Sequence, residues 1–189
     1  MNLSAKPLKD APRQSEIKTA YLQSFPKHEQ LPWWILRALT IRKGIDIIAY
    51  YDENTFCGFT YTVTEGNILF VLFFAVDYKL RGKGFGSAIL KYLKESDPQK
   101  TVLLNVEPLD PNASNFDERV RRFRFYEKNG FFDTSYDIEE IGGVFRVLGT
   151  SPTFDMEAYQ RIFGKMSFGL WKPKIIKNTD TAHNETHHS

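Results

Sequence analysis

The chain has 189 residues, 42% of them hydrophobic and 25% charged, with 16 Phe and 9 Tyr. That is enough for one domain with an aromatic-rich core, and it excludes a disordered or collagen-like chain. Twenty-five Lys and Arg against 23 Asp and Glu leave a net charge of +2, too balanced for a general nucleic-acid binder, so any anion site is local.

One cysteine, Cys57, supplies neither an intrachain disulfide nor a thiolate metal cluster. The N-terminal segment lacks a signal-peptide core, and the longest apolar run, Ile68 to Val76, is less than half of the ~20 residues of a membrane helix. The expectation is a cytoplasmic protein with no metal, no nucleic-acid partner and no membrane partner. Residues 1–176 read as a single domain with an extension from about 151. The polar stretch 177–189, with His183, His187 and His188, reads as a disordered tail.

In chain order, Ile17 to Phe25 and Trp33 to Ile41 predict two short helices, bounded by Pro26 and Pro32. Ile45 to Tyr51, Phe56 to Thr64 and Ile68 to Val76 are three β-rich runs separated by Asp52-Glu53-Asn54 and Glu65-Gly66-Asn67, which predicts an antiparallel meander. The third run, ILFVLFFAV, has no polar residue and is expected to be central and buried on both faces.

Phe85, Ala88, Ile89, Tyr92 and Leu93 fall on one face of a helix that runs to about Ser96. A strand from Thr101 to Val106 follows, then a proline-containing loop and a helix striped by Phe116, Val120, Phe123 and Tyr126 and stopped by Asn129-Gly130. Phe131 to Ile138 and Gly143 to Leu148 predict a last strand pair that turns at 141–143, and Phe154 to Phe163 a closing helix. The fold class is α/β, an antiparallel meander followed by a parallel strand pair with flanking helices.

The segment from Phe73 to Ser87 is the one that carries chemistry: a buried strand, a glycine-rich loop and a helix start. Gly82, Gly84 and Gly86 let the backbone turn sharply and approach a ligand closely, and the first N–H groups of the new helix lack partners. Such a place binds phosphate, and Arg81 and Lys83 add charge to it. It is not a Walker loop, because Lys83 precedes Gly84 and no Gly-Lys-Ser/Thr follows. It matches a dinucleotide fingerprint poorly, because its glycines alternate and a meander precedes it. It does meet Arg/Gln-x-x-Gly-x-Gly/Ala through Arg81, Gly84 and Gly86, five residues after Val76.

With this motif, the element order and a second segment, Tyr126-Glu127-Lys128-Asn129-Gly130-Phe131, the chain resembles the GNAT superfamily of acyl-coenzyme A N-acyltransferases. The resemblance spans roughly the first helix to the Gly143 strand. It implies that the strand carrying Val76 splays from Thr101 to Val106, that Phe74 and Val76 offer backbone contacts to the pantetheine arm, and that Arg81, Gly82, Lys83, Gly84, Phe85, Gly86 and Ser87 cradle the pyrophosphate. The N–H near Val76 would face the thioester carbonyl, a donor worth ~3 kcal/mol in a transition state.

The resemblance also implies acetyl-coenzyme A as co-substrate, attacked directly in a ternary complex by a primary amine that belongs to a small molecule or to a protein. Tyr126 is the candidate general acid toward the departing thiolate, with core packing as its other role. Glu107, at the end of the strand opposite Val76, is the candidate base, an electrostatic holder of the amine, or a solvated carboxylate. Where relatives often have Asn seven residues before the tyrosine, this chain has Arg119. Asn115 either substitutes for that contact or caps the helix starting at Phe116.

Arg119, Arg121, Arg122, Arg124 and Lys128 form a basic helix face that is solvated or meets phosphate. Trp33, Trp34, Tyr50, Tyr51 and Tyr61 line an acceptor pocket or fill the core, and Cys57 reads as a small buried hydrophobe. The segment from Phe154 to Lys177 packs on the domain or mediates homodimer contacts. The rival functional class is a coenzyme A-binding module without turnover.

Overall fold

The computed structural model describes residues 2–140 and 143–178. The expected turn at 141–142 and most of the expected tail, with its three histidines, lie outside the described residues. The meander is present as β2 (Ile45–Asp52), β3 (Thr55–Glu65) and β4 (Ile68–Val76), preceded by a short edge strand β1 (Leu3–Pro7). Helices α1 (Gln14–Ser24) and α2 (Trp33–Leu39) lie between β1 and β2. Then come α3 (Phe85–Ser96), β5 (Thr101–Val106), α4 (Phe116–Lys128), β6 (Phe132–Glu140), β7 (Gly143–Gly149), α5 (Met156–Met166) and β8 (Lys174–Lys177).

The eight strands form one sheet in the order β1-β2-β3-β4-β5-β7-β6-β8. The β4–β5 pair is parallel and every other pair is antiparallel. One face carries the larger core, in which Ile17 and Tyr21 of α1, Leu36 and Leu39 of α2, and Tyr159, Ile162 and Phe163 of α5 pack on Phe59, Tyr61, Phe70 and Phe73. The opposite face holds Ile89, Leu90 and Leu93 of α3 and Tyr126 of α4 against Val71, Val102, Leu104 and Val106. The amphipathic stripes place both layers, since each helix buries its apolar face on the sheet.

Strand β4 is central, as its composition predicts, but it is not buried on both faces. Leu69, Phe74 and Val76, on the face turned to α3 and α4, are half-buried, and so is Leu72, which packs against the opposite core. The β4–β5 ladder runs only from Ile68↔Thr101 to Val71↔Leu104. At that point β4 bulges: Tyr61 pairs with Phe73 and Thr62 with Val71, leaving Leu72 as the extra residue. A bulge bends its strand and increases local twist, so β4 turns away from β5 and a gap opens beside residues 72–76. The bulge also shifts alternation by one, so Phe74 and Val76 face α3 and α4 together with Leu69 and Val71.

The C-terminal extension packs on the domain. Asp155 accepts from the Ala158 N–H at 2.9 Å and caps α5, which covers β3 and β4, while β8 pairs with β6 through Ile138↔Ile175.

Candidate active site at the β4–β5 gap

The main chain of β4 is poised at the gap by strand alternation. The Asp77 N–H donates to the Cys57 carbonyl at 2.9 Å, so Asp77, Ala75 and Phe73 point their peptide groups at β3. Those of Val76 and Phe74 therefore point the other way, toward the space β5 has left. The Val76 carbonyl there accepts from Arg81 Nε at 3.4 Å, and Arg81 Nη2 donates to Ser24 Oγ at 3.2 Å. The guanidinium thus ties α1 to the end of β4, beside a cavity of about 270 Å³ lined by Gln23, Ser24, Val76, Asp77 and Arg81.

The loop beyond is shaped by its first residues and its glycines. Asp77 Oδ1 accepts from the Lys79 N–H at 2.9 Å and starts a short turn. Gly84 is the N-cap of α3 with φ +87°, in the left-handed region that favours glycine, and no side chain caps the helix. The N–H groups of Phe85, Gly86 and Ser87 have no acceptor among the described residues, and they emerge at the positive end of a 12-residue helix. Gly86 serves close packing: a Cβ there would lie 3.0 Å from Phe125 Cζ and 3.5 Å from Val76 Cγ2. Gly82 and Lys83 are exposed within the loop.

Phe125 connects these parts, since its ring stacks on Phe74 with centroids 6.5 Å apart and 24° between planes. Tyr126 follows it, 9% exposed and edge-on to Phe131. Its hydroxyl makes no hydrogen bond with a described residue and is not fully enclosed. Burial pushes the phenol up to about 12 despite the nearby Arg122, so at neutral pH the site holds a protonated hydroxyl.

Glu107 lies just past β5 in a network of its own. Arg119 Nη2 reaches one carboxylate oxygen at 3.0 Å and Arg122 Nη1 the other at 2.9 Å, while Asn115 Nδ2 donates at 3.2 Å. Burial alone would raise this carboxyl, but the Asn115 hydrogen bond and the two guanidinium charges outweigh it and hold it below the usual range. Asn115 occupies the N-cap position of α4 but makes no capping hydrogen bond, in contrast to the expectation. Its amide is spent on Glu107 and on Arg119 Nε, 2.7 Å from Asn115 Oδ1. Two arginines of the basic helix therefore face a carboxylate rather than solvent alone, while Arg121, Arg124 and Lys128 are exposed.

Residues 43–132 match the family profile for the acetyltransferase (GNAT) domain. Over that stretch the chain is similar to a GNAT acetyltransferase domain. No curated protein matches the sequence. Among solved structures, a GNAT-family protein from Bacteroides thetaiotaomicron superposes with a TM-score of 0.69 at 22% identity, covering 90% of this chain and 100% of that one. An aminoglycoside 6'-N-acetyltransferase in complex with coenzyme A gives 0.63 at 15% identity, covering 82% and 100%. A ribosomal-protein alanine N-acetyltransferase from Escherichia coli gives 0.55 at 16%, covering 82% and 96%. At these identities the three share the fold.

The residues singled out in the sequence divide by face. Phe74, Val76, Gly86 and Tyr126 come together on the α3/α4 side, with Phe85 opening α3 and Arg81 to Gly84 forming the loop before it. Tyr50, Tyr51 and Tyr61 are buried in the core rather than lining an open pocket, and Trp33 packs on Tyr21. Trp34 is 71% exposed. Cys57 is buried, and burial raises its thiol.

A polar group with no sequence motif to mark it lies on the other face. Asn105 is the first β5 residue without a β4 partner, Tyr159 Oη donates to its Oδ1 at 2.7 Å, and its Nδ2 donates to Glu140. The only available signal was a lone Asn inside the apolar strand TVLLNV, a polar residue that must be satisfied when buried.

Proposed function

We propose that this GNAT-like domain transfers the acetyl group of acetyl-coenzyme A to a primary amine by direct attack in a ternary complex. The observation that carries the reading is the β4–β5 gap, with outward-facing peptide groups of Phe74 and Val76 on one side, free N–H groups of α3 at its mouth and the Tyr126 hydroxyl beside it. These features fit an extended polar arm that ends in a diphosphate. Acetyl-coenzyme A, when bound, supplies the activated acyl group.

In this reading Phe85, Gly86 and Ser87 donate backbone N–H bonds to the diphosphate, with the loop cations Arg81 and Lys83 adding charge. Gly82 and Gly84 shape that cradle. Phe74 and Val76 hold the arm as an added half-strand, and the Val76 N–H polarises the thioester carbonyl, a contribution of ~3 kcal/mol. Tyr126 holds its proton at neutral pH and gives it to the departing sulfur. Glu107, bound by two guanidinium groups, accepts protons poorly. Its part is to fix the first turns of α4, and so Tyr126, against the end of β5. The acceptor is a small-molecule or protein amine; the fold neighbours include enzymes named for each kind.

Calorimetry with coenzyme A, together with thiol release from acetyl-coenzyme A over a panel of amines, tests the reading. Micromolar-range association and amine-dependent thiol release are expected, with Tyr126→Phe keeping coenzyme A affinity and losing roughly 10²-fold in turnover. Absence of association at millimolar coenzyme A refutes it, and association without thiol release for any amine leaves a binding module.

A further inference from the structure

On the face of the gap opposite Tyr126, three side chains from different elements form one hydrogen-bonded series. Alternation along β5 puts Asn105 on the same side as Leu103, in the core under α1, α2 and α5. On β6, Glu140 follows Ile138 on that same side. Tyr159 of α5, ring-packed on Phe70 of β4 at 5.6 Å, donates to Asn105 Oδ1 at 2.7 Å. This fixes the amide so that its NH₂ is turned to Glu140 Oε1. Among the described residues the other Glu140 oxygen has no donor and no cation pairs with this carboxylate. Glu107 is the opposite case, with both oxygens occupied by guanidinium groups.

We propose that Glu140 receives the acceptor's ammonium group and takes its first proton, with Asn105 and Tyr159 as positioning residues, so that amine and sulfur are served from opposite faces of the gap. The inference rests on the acetyl-transfer reading above. A half-buried carboxylate with one free oxygen and no counter-ion gains most from a cationic ligand, and its charge selects acceptors that arrive as R–NH₃⁺. The proton passes from R–NH₃⁺ to Glu140 and on to solvent, and the neutral nitrogen forms the C–N bond as the C–S bond breaks. Tyr126 protonates the sulfur, and the second proton leaving nitrogen replaces, through water, the one Tyr126 gave.

Burial drives the Glu140 carboxyl up to about 7, against the smaller opposing effect of the Asn105 hydrogen bond. The group is thus half ionised where a base for an ammonium is most useful. Tyr159 is the titratable group facing it among the described residues, and burial followed by the Glu140 charge raises its phenol, so Tyr159 stays neutral.

The test compares wild type, Glu140→Gln and Tyr159→Phe with two nucleophiles, a primary alkylamine that is protonated at pH 7 and hydroxylamine, which arrives neutral. Glu140→Gln should lose roughly 10²-fold in kcat/KM toward the alkylamine, keep its rate with hydroxylamine and keep coenzyme A affinity. The acidic limb of its alkylamine pH profile should move toward the amine's own pKa. Tyr159→Phe should shift that limb, which a merely structural role would not do.

An unmoved limb in Glu140→Gln, or a limb moved by Glu107→Gln instead, overturns the inference while leaving acetyl transfer standing; a wild type that binds no coenzyme A removes both. A carboxyl-carbon NMR titration of the wild type gives a readout without turnover. A Glu140 midpoint near 7 is expected, and one in the ordinary carboxylate range overturns the proposal.

Discussion

Glu140→Gln should make the fold more stable than the wild type above neutral pH and somewhat less stable in acid. Burial displaces the Glu140 carboxyl from its ordinary 4.5 to about 7. Below 4.5 the group is protonated in both the folded and unfolded chain and contributes no difference. As pH rises from there to about 7, the unfolded chain ionises first and the fold loses stability progressively. Above 7 the whole cost is present, and at 1.36 kcal/mol per pKa unit it amounts to about 3 kcal/mol.

Glutamine carries no such cost, but its NH₂ must find an acceptor where a carboxylate oxygen stood. That offsets about 1 kcal/mol or more of the gain and leaves an expected advantage of about 1–2 kcal/mol at pH 8.5. Urea unfolding of both proteins at pH 4 and pH 8.5 measures it, and carboxylates common to both, such as Glu65 and Glu107, cancel in the difference. A difference between the two proteins that is the same at both pH values refutes the reasoning, because it would mean that Glu140 is no harder to ionise in the fold than out of it. A carboxylate retained at such a cost is the pattern of a site that gives up stability for function.

Two further outcomes follow from the same geometry. Gly84→Ala puts a Cβ at φ +87°, should cost about 1 kcal/mol or more in thermal unfolding, and should weaken coenzyme A binding by calorimetry because the N–H groups of α3 turn with it. Glu107→Gln should destabilise the protein at pH 7 but not at a pH below its folded pKa. The carboxyl is depressed in the fold, so its contribution is present above the ordinary carboxylate pKa and disappears as pH falls through the folded value; denaturant midpoints along a pH series read it.

The elements and their order were legible in the sequence because they depend on local pattern. β-rich runs separated by turn residues marked β2 and β3, a 3.6-residue stripe marked α3, and glycine with asparagine marked the end of α4. The loop proposed to hold the diphosphate was legible for the same reason, since Arg81 to Ser87 is contiguous. Strands β1 and β8 escaped, because LSAKP and KIIK are too short to show a period and become strands only by docking on the edges that β2 and β6 offer.

Other decisions needed the whole fold. The bulge at Leu72 depends on the register of β3 against β4, and it alone sets which way Phe74 and Val76 point. The guanidinium grip on Glu107 arises because the turns of α4 bring Arg119 and Arg122 back over the end of β5. The Tyr159, Asn105 and Glu140 series joins residues 35 and 54 positions apart. Chain-local chemistry determines which segments are strands, helices and anion loops; only tertiary packing removes water from a particular carboxylate, brings a cation to one and withholds it from another, and so separates Glu107 from Glu140.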